Sequence, residues 1–253
     1  MFGFRCMLDL QLLTIYRFLR HHLSRLKGRV LDVGAGEGPW RAMLKHAEYV
    51  GVDVEVAPEF GMRRKPDITY YDGITLPFEA ESFDGVLCTE VLEHVPEPAP
   101  FLIDLNRVLR SGGSLVLTVP WSARLHYLPH DYGRFTRFGL TLMLQSAGFT
   151  SIVIEERGND VAVIANKLLV VTVRMLRPRS LIQVIWTWPL ALVLSPLTVV
   201  ALVAAHVAMR FHLGSSEDPL GYGVTAIKCM SNPRPATPSA SATETSPLRS
   251  DKS

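Results

Sequence analysis

One segment constrains this chain more than any other: Val30-Leu31-Asp32-Val33-Gly34-Ala35-Gly36-Glu37-Gly38, followed closely by Gly51-Val52-Asp53-Val54. Val30–Val33 is a short apolar run suited to a buried strand. Glycines at alternate positions 34, 36 and 38 leave no side chain where the backbone must turn tightly. Such a turn, feeding a helix whose first N–H groups are unpaired, lets a small molecule lie against the main chain. Asp53 ends the next apolar run, where a carboxylate can take both hydroxyls of a ribose. The pair of segments points to an adenosine-containing cofactor.

The spacing narrows the choice of cofactor. A dinucleotide fold uses Gly-x-Gly-x-x-Gly to hold a pyrophosphate at a helix start. Here the third glycine comes one residue early, and Asp32 stands two residues before the first. A carboxylate there repels a pyrophosphate but suits a cofactor carrying an amine and a sulfonium. A nicotinamide-dependent oxidoreductase is therefore disfavoured.

The Asp-x-Gly-x-Gly-x-Gly pattern resembles the first motif of class I S-adenosylmethionine (SAM) methyltransferases. Later blocks (Asp72–Phe78, Glu81–Cys88, Thr89–Val95 and Leu105–Gly113) are similar, in the same order, to those of the type 11 methyltransferase group. The resemblance covers about residues 28–157, with 223–229 supplying the last strand. It implies an α/β fold: a Rossmann-like, doubly wound seven-stranded sheet with SAM as cofactor. Carried over position by position, Asp32, Gly34, Ala35, Gly36 and Gly38 line the methionine end. Asp53 holds the ribose, Asp72 and Gly73 face the adenine, and Thr89 closes the pocket after strand four.

Strands are predicted near 30–33, 49–53, 68–71, 83–88, 114–119, 151–156 and 223–229, with helices over 39–46, 99–109 and 138–147. This alternation implies a largely parallel sheet with ligands at the carboxyl ends of its strands. Residues 1–27 form an amphipathic N-terminal helix region, with Leu8, Leu12, Ile15, Leu19, Leu23 and Leu26 at helical spacing. Its opposite face carries Arg17, Arg20, His21, His22, Arg25 and Lys27, suited to solvent or to membrane phosphates. Residues 28–160 form the SAM-binding core, 161–212 an apolar helical insertion, and 213–230 the return with the closing strand. Residues 231–253, rich in Ser, Pro, Thr and Ala, read as a disordered tail. A formal charge of only +2 gives no field for a nucleic-acid partner. Cys6, Cys88 and Cys229 lack zinc or redox spacing.

The second constraining feature lies in the insertion. Residues 180–209 contain no Asp, Glu, Lys or Arg, and a bilayer core needs about 20 apolar residues. Arg174, Arg177 and Arg179 precede the stretch and Arg210 follows it. If 223–229 closes the sheet, the chain before and after the stretch belongs to one domain on one side of the bilayer, so a single crossing is forbidden. Pro189 and Pro196 favour a break into two shorter segments. The expectation is a shallow hairpin or in-plane anchor at the cytoplasmic face of a membrane.

Two clusters offer chemistry beyond the cofactor. Glu90, Glu93, His94 and the later His130 are potential ligands for a divalent metal, which is possible but not expected. Their Glu-x-x-Glu-His pattern is similar to that of metal-dependent small-RNA 2′-O-methyltransferases and ubiquinone-pathway O-methyltransferases. Glu90 and Glu93/His94 share a face if the segment is helical. The loop after strand five supplies the other cluster. There His130 or His126 is a candidate general base, and Trp121, Tyr132 and Arg134 are candidate acceptor contacts. Alternatively Tyr132, Arg134 and Phe135 only fix the loop. Together these features read as a membrane-associated SAM-dependent methyltransferase acting on a small or lipid- or glycan-linked acceptor, at oxygen. A SAM-binding membrane scaffold without turnover is the alternative.

Overall fold

A computed structural model of the protein describes residues 6–178 and 180–230, with Phe60 placed by its backbone alone. The expected disordered tail, 231–253, and Arg179 lie outside the described residues. Helix α1 (Leu10–Leu23) precedes β1 (Gly28–Val33), β2 (Ala47–Val54), β3 (Ile68–Tyr71) and β4 (Phe83–Thr89). Then come α2 (Pro98–Val108), β5 (Leu109–Pro120), α3 (Arg137–Ser146) and β6 (Phe149–Arg157). Helices α4 (Asp160–Met175) and α5 (Leu181–Phe211) separate β6 from β7 (Gly221–Lys228). The seven strands form one sheet in the order β3-β2-β1-β4-β5-β7-β6, with β7 antiparallel to both neighbours. This is the predicted seven-stranded fold with an apolar helix before the last strand.

Strand pleating sorts side chains onto the two faces. Leu31 and Val33 of β1 join a core with Val86 and Cys88 of β4, covered by Leu102, Leu105, Leu140 and Leu144 of α2 and α3. Val30, Leu87 and Val116 turn to the other face, where Ile15, Phe18, Leu19 and Leu23 of α1 cover them with Trp40 and Leu44. Asp9 caps α1, its carboxylate accepting from the Leu12 N–H at 3.0 Å.

Two local expectations are corrected. No helix spans 39–46; Arg41–Met43 is a single 3-10 turn. Only eight residues separate Gly38 from Ala47, and their bonds run i→i−3 (Arg41 N–H to Gly38 O, Met43 N–H to Trp40 O, Leu44 N–H to Arg41 O). The predicted break at Pro189 and Pro196 is also absent, because α5 is continuous through both. The prolines stand seven residues apart, on one exposed face, so each lost N–H falls on the same side. Side-chain hydroxyls support neighbouring carbonyls: Ser195 donates to Ala191 O at 2.6 Å and Thr198 to Leu194 O at 2.8 Å. The hairpin instead forms between α4 and α5. Ala162, Val163, Ala165 and Leu169 pack on Ala201, Leu202, Ala205 and Met209, and Thr172 Oγ1 meets Thr198 Oγ1 at 2.8 Å.

Candidate active site

The carboxyl ends of β1 to β4 and the loop after β5 enclose a cavity of about 910 Å³, near the upper end of the size range of ligand sites. Gly34, Ala35, Gly36, Asp53, Asp72, Gly73 and Thr89 all line it. Asp32 and Gly38 do not line it. The turn is built from glycine for steric reasons. Gly34 has φ +71, and a Cβ there would lie 2.3 Å from Val91 Cγ2. The loop N–H groups are turned inward: those of Gly34 and Ala35 donate to Val52 O, and that of Gly38 to Ala35 O. With no helix following, the expected row of unpaired helix-start N–H groups does not form.

Asp53 is 6% exposed. Its Oδ2 accepts from Gly36 N–H and its Oδ1 from Val54 N–H, both at 2.7 Å. A carboxylate has about four lone-pair sites, so two remain for a diol. Burial raises its pKa despite these two donors. Asp32 is 1% exposed and accepts from Tyr49 Oη–H at 3.0 Å. Burial, with a smaller push from Asp53, drives its pKa up to about 7 against the Tyr49 hydrogen bond. Register explains the contact. Asp32 pairs with Gly51, which separates Tyr49 and Asp53 on one face of β2. That period-2 alignment was the available signal for Tyr49, which sequence reasoning missed.

The charge of the wall is one-sided. Glu37, Asp53, Asp72 and Glu90 line the cavity, and among the described residues no Lys or Arg does. Thr89 Oγ1 is buried at the same wall without a hydrogen-bond partner. Two desolvated carboxylates, one of them in the wall, with no lysine or arginine there, suit a ligand that brings positive charge and hydroxyl donors, and they oppose a pyrophosphate. The residues fit the expected cofactor.

The candidate metal quartet divides. Glu90 has φ +53, and the segment after it is a 3-10 turn (Leu92–His94), so Glu90 leaves the face of Glu93. Its Oε1 accepts from Arg157 Nη2 at 2.7 Å. Arg157, 3% exposed, also donates to Val119 O and Tyr222 O. This link across three strands had no local sequence signal. His130 is held by Tyr132, Nδ1 to Oη at 3.0 Å. His126 takes its place: Glu93, His94 and His126 offer ligand atoms within 4.8 Å of one another.

The protonation pattern of that trio is legible from its partners. His94 Nδ1 faces His130 O, and His126 Nδ1 faces Arg124 O at 3.1 Å. Carbonyls only accept, so each Nδ1 carries a proton, and each Nε2 is left to face Glu93. Those Nε2 atoms lie 3.6 Å and 3.9 Å from Glu93 Oε1. Both Glu93 oxygens are buried and unbonded. Burial pushes the Glu93 pKa well up, with the Glu90 charge adding to it, and burial lowers that of His94. Glu93 and the two Nε2 atoms thus converge on a point suited to a shared proton or a cation.

The acceptor contacts expected from the loop after β5 lie elsewhere. Arg134 is committed to both oxygens of Asp131, at 2.6 and 2.9 Å, and holds that carboxyl down to about 2. Trp121 packs against the core beside Tyr222, with ring centroids 6.3 Å apart. None of Trp121, Tyr132 and Arg134 lines the cavity, whereas His94, His126, Tyr127 and His130 do. The loop-fixing role describes Arg134 best.

Residues 31–117 match a family model described as "Methyltransferase domain". The chain is 41% identical over 98 residues to a demethylmenaquinone methyltransferase of Renibacterium salmoninarum, covering 35% of this chain and 40% of that protein. It is 33% identical over 150 residues to a ubiquinone biosynthesis O-methyltransferase of Coxiella burnetii, covering 49% and 64% respectively. The matched segment thus spans less than two thirds of either relative. Among solved structures, the 4+2 cyclase SpnF shares the fold with a TM-score of 0.51 and 19% identity, over 87% of this chain and 82% of that one.

Proposed function

We propose, from the class I SAM-dependent methyltransferase domain that this chain carries, that it transfers the SAM methyl group to an acceptor hydroxyl at a membrane surface. SAM is its cofactor. The observation that carries the reading is the cavity wall of four carboxylates, without Lys or Arg among the described residues, beside the Asp32–Tyr49 pair. It suits a cofactor with ammonium and sulfonium charges. Because a shared fold does not fix the chemistry, turnover is proposed on the site alone.

SAM supplies a methyl already activated on sulfonium, so the chain's task is to position the acceptor, exclude water and receive a proton. Asp53 would hold the ribose hydroxyls on its free lone pairs, and Asp72 and Gly73, which line the cavity, would border the adenine. His126 is the base. Its Nδ1–H is fixed by Arg124 O and by the Asp131 carboxylate 3.3 Å away, which leaves Nε2 to take the hydroxyl proton and Asp131, held ionised by Arg134, to balance the imidazolium. His130, steadied by Tyr132, borders the same space.

The convergence of Glu93, His94 and His126 supports a second reading, in which the three hold a divalent cation. Elemental analysis of protein purified without chelator separates the two. A stoichiometric metal lost in His126→Ala favours the cation, and metal-free protein with full turnover favours the proton.

The support for membrane association is α5. Its 31 residues include a window of mean hydropathy 2.3, of which 22% is buried, so the helix is long and apolar enough to cross a bilayer. The acceptor class is a small or lipid-linked molecule reached from the cytoplasmic face. The test is transfer of radiolabelled methyl from SAM into the organic phase of a membrane extract. Label that appears with wild type and vanishes with Asp53→Ala supports the enzyme. SAM binding with no label in lipid, quinol or glycan fractions leaves the scaffold.

A further inference from the structure

The α4–α5 hairpin differs in charge from the rest of the chain. Residues 161–216 contain Lys167, Arg174, Arg177, Arg179 and Arg210 and neither Asp nor Glu. With Asp160 at the start of α4, the hairpin 160–211 is net +4; the chain has 26 Lys and Arg and 24 Asp and Glu, so the remainder, with 21 and 23, is net −2. Within α5 the face against α4 is shielded at Ala191, Thr198, Leu202, Ala205 and Ala208, and the opposite face is bare. Leu181–Leu190 includes no buried residue; Leu181 is 87% and Trp186 77% exposed. Just before this segment, Arg174 and Arg177 are exposed and form no ion pair among the described residues.

We propose that Leu181–Leu190, with the arginine-bearing turn before it, lies flat in the interface of an anionic lipid monolayer, Arg174 and Arg177 holding lipid phosphates. Tryptophan and arginine next to an apolar segment are the residue types that settle at headgroup depth. The sheet excludes a single crossing, since β6 and β7, at the two feet of the hairpin, pair along Phe149–Arg157 and Gly221–Lys228. A double crossing fails on length and charge. Helix α4 has 16 residues, about 24 Å at 1.5 Å each, against a hydrocarbon core of about 30 Å. It would also carry Lys167 and Arg174 inward. Charge complementarity selects anionic lipid over a second copy of the hairpin, which would bring +4 against +4.

This inference rests on the membrane reading above, and one experiment tells their failures apart. The full chain is floated with vesicles of phosphatidylcholine alone or with about 30% phosphatidylglycerol, beside the double variant Arg174→Gln, Arg177→Gln. Each basic residue near an anionic surface is worth about fivefold in partition, so the variant should lose about 25-fold on anionic vesicles and little on neutral ones. High salt should do the same to wild type. Tryptophan emission should be quenched more by lipids brominated near the headgroup than near the chain end. Equal binding to both vesicles by both proteins would overturn the anionic preference while sparing membrane association. Deeper quenching would overturn the flat orientation. No flotation, with concentration-dependent dimerisation, would overturn both.

Discussion

Replacing Asp32 with Asn tests the electrostatics of the cofactor wall through stability alone. The Asp32 carboxyl is 1% exposed, and its pKa is raised from 3.8 to about 7, chiefly by burial. The folded state therefore binds a proton that the unfolded chain has released. The penalty is absent below about pH 4, builds as the pH rises and is complete above about pH 7. About three pK units correspond to roughly 4 kcal/mol at high pH. At pH 5 more than half of it is still absent, so wild-type stability should fall by about 2–3 kcal/mol between pH 5 and pH 8 from this group. Asn keeps the acceptor for Tyr49 and cannot ionise. Urea denaturation of both proteins at pH 5, 6, 7 and 8 should show a gap that widens in favour of the variant by that amount. Saturating SAM should narrow the gap, because its positive charge favours ionised Asp32. A gap that is flat with pH would refute the desolvated-carboxylate reading.

Other perturbations probe the turn and the strand-spanning links. Gly34→Ala places a Cβ 2.3 Å from Val91 Cγ2 at φ +71, and SAM affinity by calorimetry should fall at least about tenfold, with Val91→Ala restoring only part because the backbone strain remains. Arg157→Met leaves the partly buried Glu90 carboxylate without its partner and should cost about 3 kcal/mol in chemical denaturation, most of it recovered by adding Glu90→Gln. Thr198→Val removes the hydroxyl facing buried Thr172 and should cost about 1–2 kcal/mol, read from the denaturation midpoint; no change would mean the pair is not held closed. His126→Ala should lower turnover far more than SAM affinity; equal losses in both would place His126 in cofactor binding.

What the sequence revealed and what it hid divide by range. The glycine turn, Asp53 and the strand runs are short-range patterns whose steric and pleating consequences are local, and they lie where expected. The failed helix over 39–46 is local too, but tertiary packing decided it: Trp40 and Leu44 reach the α1-side core from a 3-10 turn. Proline's cost in α5 did not break the helix, whose small-residue face beyond Leu190 is buried against α4. Arg157 and Glu90 lie 67 positions apart, and no periodicity announces such a pair. The same holds for His126, brought to Glu93 by a loop path rather than by helical spacing. The candidate metal set consequently changed two members, Glu90 and His130, while Glu93 and His94, neighbours in sequence, stayed.

Calorimetric titration of wild type and Asp53→Ala with SAM, S-adenosylhomocysteine and NADH tests the cofactor assignment most directly. Wild type should bind both adenosyl sulfur compounds and not NADH, and the folded variant should bind them at least about tenfold more weakly. A well-folded wild type that ignores SAM, or that takes NADH into the same cavity, would contradict it.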